Sequence, residues 1–318
     1  MNPLRPVILA AANSARMREF ITKVPVTAAV VRRFVAGETR AELLDAVDAL
    51  RRGGRMVSVD YLGENITEAD QADAVVAEYV SLINELASRY SPALASTEVA
   101  PVEVSVKLSA LGQALPGAGK DLATENLRII CTKAAQAGVW VTVDAEDHTT
   151  TDATLATVRE LREEFPLLGV ALQAQLHRTA TDCHELAGPD SRIRLCKGAY
   201  HEPVDIATHR GRDVTDSYLR CLAILMCGDG YPMVASHDPV AINAAERLRL
   251  ETRRETDGFE HQMLYGVRES EQARLVHAGA TVRVYVPYGD AWYRYLTRRL
   301  AERPGNLRFF LRALVRDS

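Results

Sequence analysis

From Gly54 onward the chain alternates short β-branched or apolar runs with longer stretches of helical periodicity. Eight runs have strand character: RMVSVDYL (55–62), VEVSVKL (102–108), VWVTVDA (139–145), GVALQAQL (169–176), RIRLCKG (192–198), YPMVASH (231–237), FEHQML (259–264) and TVRVYVP (281–287). Between them lie helical patterns such as TEADQADAVVAEYVSLINELASRY, ATENLRIICTKAAQAG, TTTDATLATVRELREEF and DPVAINAAERLRL. Strands separated by helices make a parallel sheet, and eight such units within about 250 residues predict a closed (β/α)8 barrel. A doubly wound open sheet is the alternative. It would carry a glycine-rich phosphate turn after its first strand, and YLGENIT is not G-x-G-x-x-G. Residues 11–51 are helical in pattern, with Thr39 and Glu42 at capping-box spacing. No Pro/Gly/Ser linker divides the chain, so the expected organisation is an N-terminal helical arm (1–53) and a barrel (54–318) within one domain.

A chain of 318 residues, 47% hydrophobic and 25% charged, can bury a core of that size. A net charge of −4 gives no global basic footprint, so nucleic acid is not an expected partner, and the arginine-rich stretch YRYLTRRLAER (293–303) is a local feature. Cysteines 131, 183, 196, 221 and 227 are scattered with no C-x-x-C pair, which suits reduced thiols in a cytosol and predicts no metal site. The run PVILAAA is short for a signal peptide, and nothing approaches the ~20 apolar residues that span a bilayer. The expected location is cytoplasmic, at most peripheral on the inner face of the cell membrane.

In a barrel, chemistry gathers where strands end, because the βα loops build the mouth. The strand ends here are polar: Glu64 after the first, Lys107 on the second, Asp144 on the third, Gln173 on the fourth, Arg194, Lys197 and Tyr200 at the fifth, Ser236 and His237 at the sixth, and Tyr285 on the eighth. Each has a plainer account. Lys107 could snorkel from its strand end; Asp144, Glu146 and Asp147 could be helix caps; His237 could be a turn residue beside a helix start. Arg194 and Lys197 point by alternation to opposite faces, so at most one need face the interior. Together the plain accounts weaken, because a structural barrel has no need to desolvate an acid or base at so many mouths.

On a helix, Tyr295, Arg298 and Arg299 share one side within about one turn. Two guanidiniums beside a phenol can hold a carboxylate by bidentate hydrogen bonds. Arg294 and Arg303 read as an ordinary solvated face.

At this point the motifs match a family. SVKLSALG (105–112), VTVDAEDH (141–148), GVALQAQLHR (169–178), IRLCKGAYHEP (193–203), YPMVASHD (231–238), FEHQMLYGV (259–267) and VRVYVPYGDAWYRYLTRRLAERPGN (282–306) stand in the order found in the flavin-dependent proline dehydrogenases. Over essentially all its length the sequence resembles the compact monofunctional bacterial members. The resemblance implies a distorted (β/α)8 barrel whose last helix lies over the mouth, with GNLRFFLRALVR filling the vacated outer-ring position. It implies oxidation of L-proline to Δ1-pyrroline-5-carboxylate, the first step of proline catabolism, by hydride transfer to N5 of non-covalent FAD. Electrons would pass to a membrane quinone, and pyrroline-5-carboxylate dehydrogenase would be a candidate product acceptor.

Carried over by motif, Lys107, Arg298 and Arg299 would bind the proline carboxylate, and Leu264, Tyr285 and Tyr295 would wall the ring. Asp144 would support Lys107 and Tyr285. Gln173 and Arg194 would approach the flavin ring, with Lys197, Gly198, Tyr200, Ser236 and His237 along the rest of the cofactor. Glu64 matches the family's gate acid, expected to pair with Arg298, and Glu302 matches the acid one turn past Arg299. His201 and SHD depart from the commoner family residues, and Arg210 and Arg212 receive no role. Tyr285, smaller in related hydroxyproline enzymes, favours unmodified proline. Two rivals use the same residues differently: a Schiff-base lyase with Lys107 or Lys197 as nucleophile, and a non-catalytic module docking its arginine helix on an acidic or membrane surface.

Overall fold

Every one of the eight apolar runs forms a strand in the computed structural model, which describes residues 33–63, 66–90, 99–292 and 295. The strands are β1 (Met56–Tyr61), β2 (Val102–Val106), β3 (Trp140–Val143), β4 (Gly169–Gln173), β5 (Arg192–Cys196), β6 (Tyr231–Ala235), β7 (Glu260–Leu264) and β8 (Val282–Tyr288). Each pairs in parallel with the next and β8 closes onto β1, so the sheet is a barrel without an edge. Most expected runs overshoot at the C-terminal end, because their last polar residues already belong to the βα loops: Lys107 leads into a 3₁₀ turn at Leu108–Leu111, and Asp144 follows β3.

Helix α1 (Arg40–Arg52) precedes β1, opened by the expected capping box between Thr39 and Glu42. Seven crossover helices follow: α2 (Ala69–Tyr90), α3 (Gly119–Ala137), α4 (Thr151–Arg162), α5 (Thr179–Leu186), α6 (Gly211–Cys227), α7 (Pro239–Thr252) and α8 (Glu269–His277). Helix α1 packs against both β8 and β1. It also lies beside α2, tied by Arg40 to Glu78 and Glu85 and by Arg89 to Asp48. Helix α1 thus lies on the outer ring beside β8 and β1, with Leu43, Leu44 and Val47 burying its inner stripe. The final segment itself, with Arg294, Arg298, Arg299, Glu302 and Arg303, lies outside the described residues, as does Glu64.

Alternation along each strand sorts the barrel into two faces. Val57, Val59, Val102, Val104, Val106, Val141, Val143, Val170, Leu172, Ile193, Leu195, Val234, Val284 and Val286 face the helices and form one continuous apolar layer with them. Barrel interiors are ordinarily filled by branched apolar side chains. This one is polar: the inward positions bury the acids Asp60, Glu103, Asp144 and Glu260 with the bases Lys107, Arg192, Arg194 and Arg283. Four charges of each sign balance, as burial requires.

Residues 33–37 run across the C-terminal end of the barrel. The Ala36 N–H bonds the Pro287 carbonyl (2.9 Å) and the Gly289 N–H bonds the Gly37 carbonyl (3.0 Å). There Val35 packs with Leu62, Trp292 and Tyr295 in a small buried cluster. No helix among the described residues is long and apolar enough to cross a membrane.

Candidate active site

Two stacked layers of inward side chains build the site from the barrel floor upward. At the floor, Glu260 takes a bidentate pair from Arg283 (2.7 and 2.9 Å), and Glu103 is bound by Arg192. The Arg192 guanidinium lies over the Trp140 ring, 3.8 Å from its centroid.

Above them sits Arg194, 3% exposed. All five of its N–H groups have protein acceptors: Gln262 (2.7 Å), Ser105 (2.6 Å), Asp144 (2.5 Å), Ser58 (3.1 Å) and Glu103 (2.6 Å). Burial alone would make the guanidinium easier to deprotonate, but Asp144 and Glu103 outweigh it and hold the charge. Arg194 thus fixes one oxygen of Asp144 from below.

The other oxygen of Asp144 accepts from the Tyr285 hydroxyl at 2.6 Å. Burial would raise the Asp144 carboxyl, yet Arg194, Lys107, Tyr285 and Ser105 together bring it below the usual range, so it is a carboxylate. Tyr285 is pushed the opposite way by burial and by Asp144, and stays a donor.

Lys107 completes the layer. It is 7% exposed and turns inward instead of snorkelling. Its ammonium lies 2.7 Å from Asp60, 3.5 Å from Asp144 and 3.5 Å from the Tyr285 oxygen. Burial raises the Asp60 carboxyl, Lys107 opposes this, and the like charge of Asp144 adds to it. Asp60 and Asp144, two acids around one ammonium, are thereby driven apart in acidity.

The remaining expected residues ring this centre. Leu264 lies opposite Tyr285 in the β7–β8 register, and its N–H bonds His237 Nε2 at 2.9 Å. His237 is thus both a turn residue and a link between the β6 and β7 loops; its neighbour Asp238 caps α7, with the Asp238 N–H bonded to the Ser236 hydroxyl (3.1 Å). Lys197 leaves the interior, as alternation required of one of the pair, and bridges Asp238 (2.5 Å) and Thr215 (2.8 Å). Gly198 has φ +111°, and a Cβ there would strike the Gln175 side chain, whose amide holds the Tyr200 carbonyl at 3.0 Å. Gln173 binds the Glu146 carbonyl at 2.8 Å. In the stretch read as possible caps, Asp147 does cap a 3₁₀ turn while Asp144 points inward. Tyr295 is buried with Leu62 and Trp292.

The sequence reading missed Asp60, Glu103, Glu260, Arg192 and Arg283. The signal was present in V-S-V-D and V-E-V-S-V-K, where every second residue is polar opposite a valine. Polar residues at strand tips stand out against the loops that follow, whereas those within a strand blend into its alternation.

Comparisons with known proteins bear on the family and the fold. A family model described as proline dehydrogenase matches residues 43–312. Proline dehydrogenase 1 of Bacillus subtilis strain 168 is 35% identical over 285 residues, 90% of each chain. The proline dehydrogenase of Deinococcus radiodurans is 37% identical over 286 residues, 89% of each chain. Proline utilization A of Bdellovibrio bacteriovorus, whose crystal structure was determined after inactivation by N-propargylglycine, superposes with a TM-score of 0.79 at 25% identity. That match covers 93% of this chain and 36% of the larger protein. Since the family match runs through all eight strands and the bacterial relatives are covered nearly end to end, the chain belongs to the proline dehydrogenase family.

Proposed function

We propose that the chain carries out FAD-dependent oxidation of L-proline to Δ1-pyrroline-5-carboxylate and passes the electrons to a membrane quinone. The observation that carries this reading is the Lys107 ammonium, buried at the barrel mouth and clasped by Asp60, Asp144 and Tyr285. Neighbouring carboxylates favour the protonated form of this amine, which can then meet a substrate carboxylate. That form is poorly suited to the Schiff-base lyase, which needs a neutral nucleophile.

In this reading the proline carboxylate docks on Lys107, Arg298 and Arg299, with Leu264, Tyr285 and Tyr295 against the ring and Glu64 pairing with Arg298 as a gate. Three cations near one carboxylate fix the ring and disfavour a further positive charge, so they help the substrate amine lose its proton. Asp144, held by Arg194, keeps Lys107 and Tyr285 in place.

The residues present suit a non-covalent flavin. Gln173 and Arg194 would lie toward its ring, and Lys197, Gly198, Tyr200, Ser236 and His237 toward the rest. The left-handed Gly198, with no space for a side chain, supports close approach of backbone to a ligand on the β5 loop. Arg194, whose N–H groups are already engaged, would contribute its positive charge more than a donated hydrogen bond. Bound FAD supplies the acceptor for the hydride that leaves proline C5. The product would pass to a pyrroline-5-carboxylate dehydrogenase, and a peripheral membrane position would serve the quinone.

Purified protein should be yellow and bleach on anaerobic addition of L-proline. Colourless protein that cannot be reconstituted with FAD would overturn the reading. Arg298→Met or Arg299→Met should raise the KM for proline steeply while leaving the protein yellow.

A further inference from the structure

Asp60 is the acid of the mouth that no motif singled out. It is 1% exposed against 9% for Asp144, so it lies deeper in the barrel. One of its oxygens accepts from Lys107 at 2.7 Å, and the other has no hydrogen bond among the described residues.

Asp144 cannot replace it. One Asp144 oxygen is taken by Arg194 and Ser105, and the other by Tyr285 at 2.6 Å, which leaves Lys107 at 3.5 Å. A lysine ammonium is a point charge on a flexible stem and needs a dedicated partner to stay in one rotamer. Among the described residues, the groups facing this pair are Asp144 on β3, with Arg194 on β5 behind it, Tyr285 on β8 and the Tyr79 hydroxyl on α2.

We infer that Asp60 is a positioning residue for substrate recognition: it anchors Lys107 from beneath, in the rotamer that meets the substrate carboxylate, without touching the substrate itself. The inference rests on the proline-oxidising reading, which makes Lys107 a carboxylate contact. Removing the Asp60 charge takes away the shorter of the two ion pairs that Lys107 makes with described acids, and the oxygens of Asp144 are already engaged. Lys107 is then less fixed and, with one carboxylate fewer beside it, loses its proton at lower pH.

The test is calorimetric titration of the flavin-loaded protein with tetrahydrofuran-2-carboxylate, a five-membered ring acid with no amine of its own, between pH 7 and 10. Asp60→Asn should weaken binding about tenfold at pH 7 and move the alkaline loss of affinity to lower pH. Asp60→Glu, which restores the charge, should return affinity to within about threefold of wild type. Asp60→Ser serves as a second charge-removing variant, and thermal unfolding checks that each is folded. A folded Asp60→Asn or Asp60→Ser protein that binds within twofold of wild type with an unmoved pH profile overturns the inference alone. Wild-type protein that fails to bind the probe overturns the functional reading and this inference with it. Failure of both charge-removing variants to fold assigns Asp60 to the fold and also overturns it.

Discussion

Replacing Glu103 by Gln tests the claim that the barrel interior is held by charge balance. Glu103 is wholly buried and accepts from Arg192, from Arg194 (2.6 Å) and from the Ser58 hydroxyl (2.6 Å). Burial would raise its carboxyl, but Arg192, Arg194 and Arg283 bring it from 4.5 to about 2. Such a lowering corresponds to roughly 3 kcal/mol of stability at neutral pH. Because the folded pKa is depressed, that stability is fully present above pH 4.5 and is lost as pH falls toward 2. Glutamine fills the same space, yet its amide N–H groups oppose the arginines and leave two buried guanidiniums sharing one charge fewer. The expected loss is about 3–5 kcal/mol, a fall in Tm on the order of 5–10 °C for a chain of this size. Urea unfolding at pH 7 and pH 3.5 is the assay, and the gap between wild type and variant should narrow at the lower pH. A loss below about 1 kcal/mol at pH 7, or a gap that ignores pH, would refute charge balance as the reason. A charge-paired double variant, Glu103→Leu with Arg192→Leu, should be less destabilised than the sum of its single changes.

Lys107→Met should raise the KM for proline and lower kcat together, since it removes a proposed carboxylate contact and leaves Asp60 and Asp144 without their shared cation; near-wild-type kinetics would reduce Lys107 to a structural role. Gly198→Ala must adopt φ +111° and push against Gln175, so flavin affinity, read by equilibrium dialysis, should fall about tenfold, and an unchanged affinity would detach the β5 loop from the cofactor. Gly266 has φ +70°, and a Cβ there meets the Arg33 carbonyl. Gly266→Ala should therefore loosen residues 33–37 from the mouth and speed tryptic cleavage after Arg33, whereas an unaltered rate would argue against that contact.

Much of the fold was legible in the sequence. The eight β-branched runs are local signals, and each became a strand in the expected order. Lys107, Asp144 and Gln173 were legible as candidate residues because they stand at or just past strand ends, where a barrel opens, whereas Arg194 and Tyr285, expected at the tips, lie mid-strand and face the interior. The partners were not legible. Asp60 is 47 residues from Lys107, and Glu103 is 89 residues from Arg192 and 91 from Arg194. No local pattern announces a pairing across that distance.

The sequence by itself determined which segments extend, which coil and in what order they alternate, because φ/ψ preference and hydrophobic period act over a few residues. Only the tertiary structure decided that the inward face sets four acids against four bases, that α1 lies against β8 and β1, and that Lys107 sits closer to Asp60 than to Asp144, whose oxygens also serve Arg194 and Tyr285. Those outcomes follow from barrel closure, which brings alternate residues of distant strands within hydrogen-bond reach and makes each buried charge find its opposite there.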